Sequence, residues 1–181
     1  MKYLSLNVLG EGYCPTDELY ERRLEENPLL DYAVKNGMNH VHEGNEQDAQ
    51  DAALGLLLDD VKLSSSSQVL LVGGYKYGGY SQDFPKKFHG VHFTAYLGVK
   101  DIMIKLFSEN PKVNPDAKDG NEQTPLSWAA AKGHMAVVET LLATGKVEPD
   151  AKDAGCLRRA SSGASSDDRE LAVGVLADRL P

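Results

Sequence analysis

Sulfur and positive charge are both scarce in this chain of 181 residues. Two isolated thiols, Cys14 and Cys156, cannot staple a small fold, so the chain must hold its shape by packing. That thiol usage suits a reducing compartment, and a cytoplasmic or otherwise intracellular protein is expected. Lys and Arg number 19 against 27 Asp and Glu, a formal charge of −8 with no basic block. This balance argues against a nucleic-acid backbone or an anionic membrane surface as partner. No apolar run is long enough for a membrane span, and Met1 to Gly10 is too short and too polar in its flanks for a secretory signal. The remainder, 41% hydrophobic and 25% charged, is that of a soluble domain able to bury a sizeable core and fold alone.

One stretch, Asp119 to Asp153 (DGNEQTPLSWAAAKGHMAVVETLLATGKVEPDAKD), carries most of the information. Thr124 before Pro125 predicts a helix start, because the Thr hydroxyl can accept from a first-turn N–H and Pro gives up a donor that has no partner there. Leu126, Trp128, Ala129 and Ala130 carry the helix to Gly133, which can adopt the left-handed conformation that ends it. From His134 a second helix places Val137, Val138, Leu141 and Leu142 on one side until Thr144 and Gly145 stop it.

These residues resemble an ankyrin repeat: Thr-Pro-Leu-x-x-Ala-Ala, then Gly-His, then a Val-Val and a Leu-Leu pair. Two positions depart from the pattern. Ser127 replaces a frequent His, weakening one hydrogen bond between repeats, and Glu122 replaces the hairpin Gly, so Gly120 and Asn121 are expected to supply the turn. One such repeat cannot bury its own apolar face and needs neighbours. VNPDAKD at Val113 recurs as VEPDAKD at Val147, and GVHFTAYLGVKDIMIKLF lays onto the same template, pairing Gly98 with Gly133 and Ile102 with Val137.

Elsewhere the signal weakens. Tyr3 to Leu9 alternates like a short strand, and Pro15 to Asn27 reads as a charged helix with Leu19, Tyr20, Arg23 and Leu24 on one face. Pro28 begins a degenerate repeat whose first helix has Gly37 as a possible end; a second follows over Asp48 to Asp59. After Ser64 to Ser67 the chain turns irregular and rich in Gly and Tyr as far as His89, with a small helix possible at Ser66 to Val72. The expected architecture is an all-α, ankyrin-repeat solenoid of helix-turn-helix units. It comprises an N-terminal strand and capping helix (1–27), a degenerate repeat (28–63), a long irregular insertion (64–89), repeats at 90–118 and 119–152, and a degenerate terminal repeat or tail (153–181).

A wider resemblance covers most of residues 2 to 153. Tyr3 to Leu6, Gly10 to Glu18, Pro28 to Ala33, Gly79 to Ser81, Gly90 to Gly98 and Leu141 to Val147 together look like the junction region of fungal NACHT-type NTPases that carry ankyrin arrays. The resemblance implies an array that senses or docks a partner while an upstream nucleotide-binding domain does the work.

Catalytic and metal chemistry find little footing. Gly145-Lys146 fails as a phosphate loop, with Val147 in place of Ser or Thr and Thr140 in place of the first Gly. His40, His42 and Glu43, and likewise His89, His92 and Asp83, lack the spacing of three or four converging ligands. Ser64 to Ser67 has no ordered His and acid beside it, and neither Cys has a basic neighbour at fixed spacing. No catalytic residue, cofactor or metal is assigned, and the expected function is binding of a protein partner on the concave repeat surface, as a monomer or as part of a longer chain. Carried over from the ankyrin pattern, the contact positions are Lys118, Gly120, Asn121, Gln123, Ala131 and Lys132, with Tyr96 and Leu97 in the preceding repeat. Tyr96 and Leu97 are either partner anchors or cover for the Tyr-rich insertion.

Overall fold

In the computed structural model, residues 7–44, 47–73 and 77–147 are described, and they contain helices and turns but no strand. They fall into two compact units that divide between Phe93 and Thr94.

The first unit opens with a 3-10 turn, Asn7–Leu9. That stretch was expected to be extended; its remainder, 3–6, lies outside the described residues, as does the terminal segment 153–181. Helix α1 (Asp17–Glu26) starts at Thr16, whose side chain accepts from the Leu19 N–H, and ends at Asn27. Its buried face holds Tyr20 and Arg23, while Leu19 is exposed. Helix α2 (Leu30–Gly44) does not stop at Gly37 as the sequence suggested. Gly costs only about 1 kcal/mol inside a helix, and burial of Leu30, Val34 and Met38 along one face offsets that cost. Helix α3 (Gln47–Leu58) buries Ala53, Leu54, Leu56 and Leu57 and packs on α2.

Helix α4 (Asp60–Leu71) is longer than the short helix expected there, and both α2 and α3 pack on it. The serine run lies inside it, with Ser65, Ser66 and Ser67 buried. Its polar atoms tie distant backbone to the helix. Gln68 Oε1 accepts the Cys14 N–H at 2.8 Å, while Nε2 donates to the carbonyls of Cys14 and Ser81 at 2.9 and 2.8 Å. Ser65 Oγ donates to the Leu9 carbonyl, and Arg23 donates to the Gly12 carbonyl at 2.7 Å and to Ser65 Oγ. A buried polar group is costly unless its hydrogen bonds are met; here the side chains meet those of a segment that has no ladder of its own.

The Gly- and Tyr-rich stretch is anchored the same way. A second 3-10 turn, Tyr80–Gln82, receives the Asp17 carboxylate, which accepts from the N–H groups of Gly79 and Ser81. These bonds hold Asp17 below the usual carboxylate range, those from Ser81 most of all. Tyr80 donates to Glu21 and sits edge-on to the Tyr20 ring. Cys14 is buried, and burial raises its thiol pKa against the opposing pull of Arg23.

In the second unit the chain makes two helix pairs. Helix α5 (Gly90–Leu97), whose last residues begin this unit, turns at Gly98 into α6 (Lys100–Glu109), and α7 (Pro125–Lys132) turns at Gly133 into α8 (Met135–Ala143). Thr124 caps α7 in a reciprocal box: its Oγ1 accepts from the Ser127 N–H, and Ser127 Oγ accepts from the Thr124 N–H. Ser127 thus spends its hydroxyl within its own repeat. Gly133 has φ 75° and Gly98 has φ 74°. The extended hairpin differs from expectation, because Glu122 itself takes the left-handed conformation at φ 58° while Gly120 and Asn121 do not. Asp119 makes this tolerable: its Oδ1 accepts the N–H groups of Asn121 and Gln123 and its own N–H bonds the Gln123 carbonyl, closing the turn around Glu122.

Helix α8 packs on both α7 and α6, which joins the two pairs through one interior. Val137, Val138, Leu141 and Leu142 are buried there with Ile102, Met103 and Leu106. Each such side chain contributes about 1.5–3 kcal/mol.

Candidate protein-binding face

The residues that the sequence singled out sit on α5, α7 and the 118–123 loop of the second unit. Exposed among them are Lys118, Gly120, Asn121, Ala131 and Lys132, whereas Tyr96, Leu97 and Gln123 are half-buried. Three of these elements meet at Trp128, which the ankyrin pattern did not mark as a contact position. The Tyr96 and Trp128 rings lie 5.5 Å apart at 59°, and the Lys132 ammonium stands 4.1 Å from the Tyr96 centroid. Trp128 Nε1 donates to Asp119 Oδ2 at 2.9 Å, so the carboxylate that shapes the hairpin also fixes the indole. A signal for Trp128 was available: a large aromatic with a polar N–H at a surface turn of a helix needs a partner, and Asp119 lies nine residues before it.

Below this cluster a second contact locks the repeats. His134 Nε2 lies 3.1 Å from the Tyr96 carbonyl oxygen, which can only accept, so Nε2 carries the hydrogen. The imidazole lies over Gly98 so closely that a Cβ built there would fall 2.5 Å from Nδ1. Burial, more than the charge of Lys132, lowers the His134 pKa, partly opposed by the bond to Tyr96. The geometry therefore joins the two repeats at the floor of the face. Lys118 pairs with Glu122 at 3.7 Å at its rim.

Chemically, this is a half-exposed aromatic pair under an ammonium, held by a buried carboxylate, and it suits contact with another surface. The other sequence candidates are placed as follows. His92 is buried and its Nδ1 accepts the His89 N–H at 3.1 Å, so this imidazole orders the turn before α5. Among the described residues no three His, Cys, Asp or Glu side chains converge as a metal site, and no helix is long and apolar enough to cross a membrane. The side chains of His40 and His42, and Cys156, lie outside the described residues.

The paired helices, the left-handed glycines between them and the capped Thr124-Pro125 start of α7 define an all-α fold of the ankyrin-repeat solenoid class. Residues 121–154 match the ankyrin repeat family. The 26S proteasome non-ATPase regulatory subunit 10 of Dictyostelium discoideum is 38% identical over 81 residues, 45% of this chain and 32% of that protein. The chain thus matches about a third of the length of that curated relative. No solved structure matches the chain.

Proposed function

We propose that the chain is a non-catalytic protein-recognition module whose partner docks on the face made by Tyr96, Leu97, Trp128, Lys132 and the 118–123 loop, the concave side of the repeats. The observation that carries this reading is the Tyr96–Trp128–Lys132 cluster, in which aromatic surface is left half-exposed yet held rigid by Asp119. Aromatic anchors of this kind dominate many protein interfaces, and a pre-ordered one loses little side-chain entropy on binding. The matched relative is by name a regulatory, non-ATPase subunit of a larger assembly, which supports a partner that is itself protein. In this reading, residues 90–118 and 119–152 are the full repeats, with 28–63 and 153–181 as degenerate ones and 64–89 as an insertion. A narrower form, implied by the NACHT-type resemblance, is a sensor segment of a nucleotide-driven switch. A longer reading frame encoding a Gly-x-x-x-x-Gly-Lys-Ser/Thr loop would support it.

The test compares affinity capture by the parent chain with capture by Tyr96→Ala plus Leu97→Ala, and by Trp128→Ala. Proteins retained by the parent and lost by both variants, at unchanged far-UV circular dichroism, are the expected result. Equal capture by all three would remove this face from the proposal.

A further inference from the structure

In the first unit a cleft of about 260 Å³ opens beside α4. Phe84 and Phe88, both buried, and the exposed Tyr13 form its apolar wall. The Tyr13 and Phe84 rings meet edge to face at 5.7 Å. Lys86 lies in this wall with its ammonium 3.3 Å from the Phe84 centroid and 4.3 Å from that of Tyr13. Among the described residues its ammonium makes one hydrogen bond, a long one of 3.4 Å to the Gln82 amide oxygen.

The charge at this site is unbalanced. Lys86 has no carboxylate within ion-pair distance among the described residues, and burial lowers its pKa. Yet the two rings favour the charged form, so a cation is kept partly out of water without a counter-ion. Lys87, held in a left-handed conformation at φ 55°, lines the same cleft, as does Asp60. In a chain of net charge −8, two lysines lining an aromatic cleft form a local site of opposite sign.

We propose that this cleft binds a small organic anion, a carboxylate carried on an aromatic body. The ring packs on Phe84, Phe88 and Tyr13, and the carboxylate supplies Lys86 with its missing partner. A cleft of this size accommodates one ring and a short side arm, and its lining of aromatic carbon with a few placed polar groups is that of small-molecule sites generally. The site neither uses nor depends on the docking face of the second unit.

The experiment is ligand-observed NMR titration of the full chain with benzoate and indole-3-acetate, each beside its neutral alcohol, benzyl alcohol and indole-3-ethanol. Saturable millimolar or tighter binding is expected, with the carboxylates favoured by about ten-fold, the worth of one charge-assisted hydrogen bond. Lys86→Met should abolish that preference and Lys86→Arg should keep most of it, while Trp128→Ala leaves it unchanged. A second readout needs no variant: added salt should weaken the carboxylate and spare the alcohol. No saturable binding, equal affinity for acid and alcohol, or carboxylate binding that is indifferent to both Lys86→Met and salt would each overturn the proposal.

Discussion

Gly98→Ala should be far more damaging than Gly133→Ala, although both glycines end the first helix of a repeat with nearly the same φ. A left-handed Ala costs about 1–2 kcal/mol at either place. At Gly133 nothing lies within 4 Å of the added Cβ, so that strain is the whole cost. At Gly98 the Cβ would lie 2.5 Å from His134 Nδ1 and 2.7 Å from two other ring atoms, and the imidazole must move. Moving it forfeits the bond to the Tyr96 carbonyl, worth about 0.5–1.5 kcal/mol, and adds overpacking of about 1–3 kcal/mol. The difference between the two variants is therefore about 2–4 kcal/mol. Urea titration followed by tryptophan fluorescence measures it, since the single Trp of the chain, Trp128, lies in the second unit and reports its unfolding. A double-mutant cycle isolates the cause: with His134→Ala already present, Gly98→Ala should cost no more than Gly133→Ala, so the coupling is the whole of that difference, about 2–4 kcal/mol. Costs for the two glycine variants that agree within about 0.5 kcal/mol, or an additive cycle, would refute the lock between repeats.

Three further outcomes are expected. Val138→Asp places a charge at a fully buried site between α6, α7 and α8 and should abolish the cooperative Trp128 transition, whereas Lys132→Ala, at an exposed position, should shift it by no more than about 1 kcal/mol. Gln68→Leu leaves the Cys14 N–H and the Ser81 carbonyl without their partner inside the first unit and should cost about 2–4 kcal/mol, with hydrogen-exchange protection lost at Cys14. Because burial lowers the His134 pKa in the fold, the unfolded chain binds more protons near its ordinary value of 6.5. Stability is therefore complete above that value and lost as pH falls from it through the lowered value of the folded state. Urea midpoints of the second unit should drop between neutral and mildly acidic pH, and His134→Gln should flatten that slope.

How much of this was legible in the sequence depends on whether the determinant was local. The α7–α8 pair could be read because its signals are short-range: a capping Thr, a Pro at the first position, a left-handed Gly and apolar residues at helical spacing. The hairpin was read less well. Gly120 and Asn121 have the freer backbones, yet Glu122 takes the positive φ, because Asp119 Oδ1 gathers the Asn121 and Gln123 N–H groups around it. In the first unit, Ser64 to Ser67 and Gln68 read as the polar start of an irregular insertion with at most a small helix over Ser66 to Val72, since polar residues are seldom buried. All became helix, and Ser65 to Gln68 became core, because the partners of Ser65 and Gln68, which are Leu9, Cys14 and Ser81, come from elsewhere in the chain.

On its own, the chain's order of residues determined the helix-turn-helix unit and its all-α class. These follow from capping, handedness and periodicity, which act within a few residues. Only the tertiary structure decided that Trp128 joins Tyr96 and Lys132, that His134 closes on Gly98, and that Lys86 lies against two rings with no carboxylate beside it among the described residues. Each of those depends on contacts between residues far apart in sequence, and spacing along the chain does not encode the distance between their side chains.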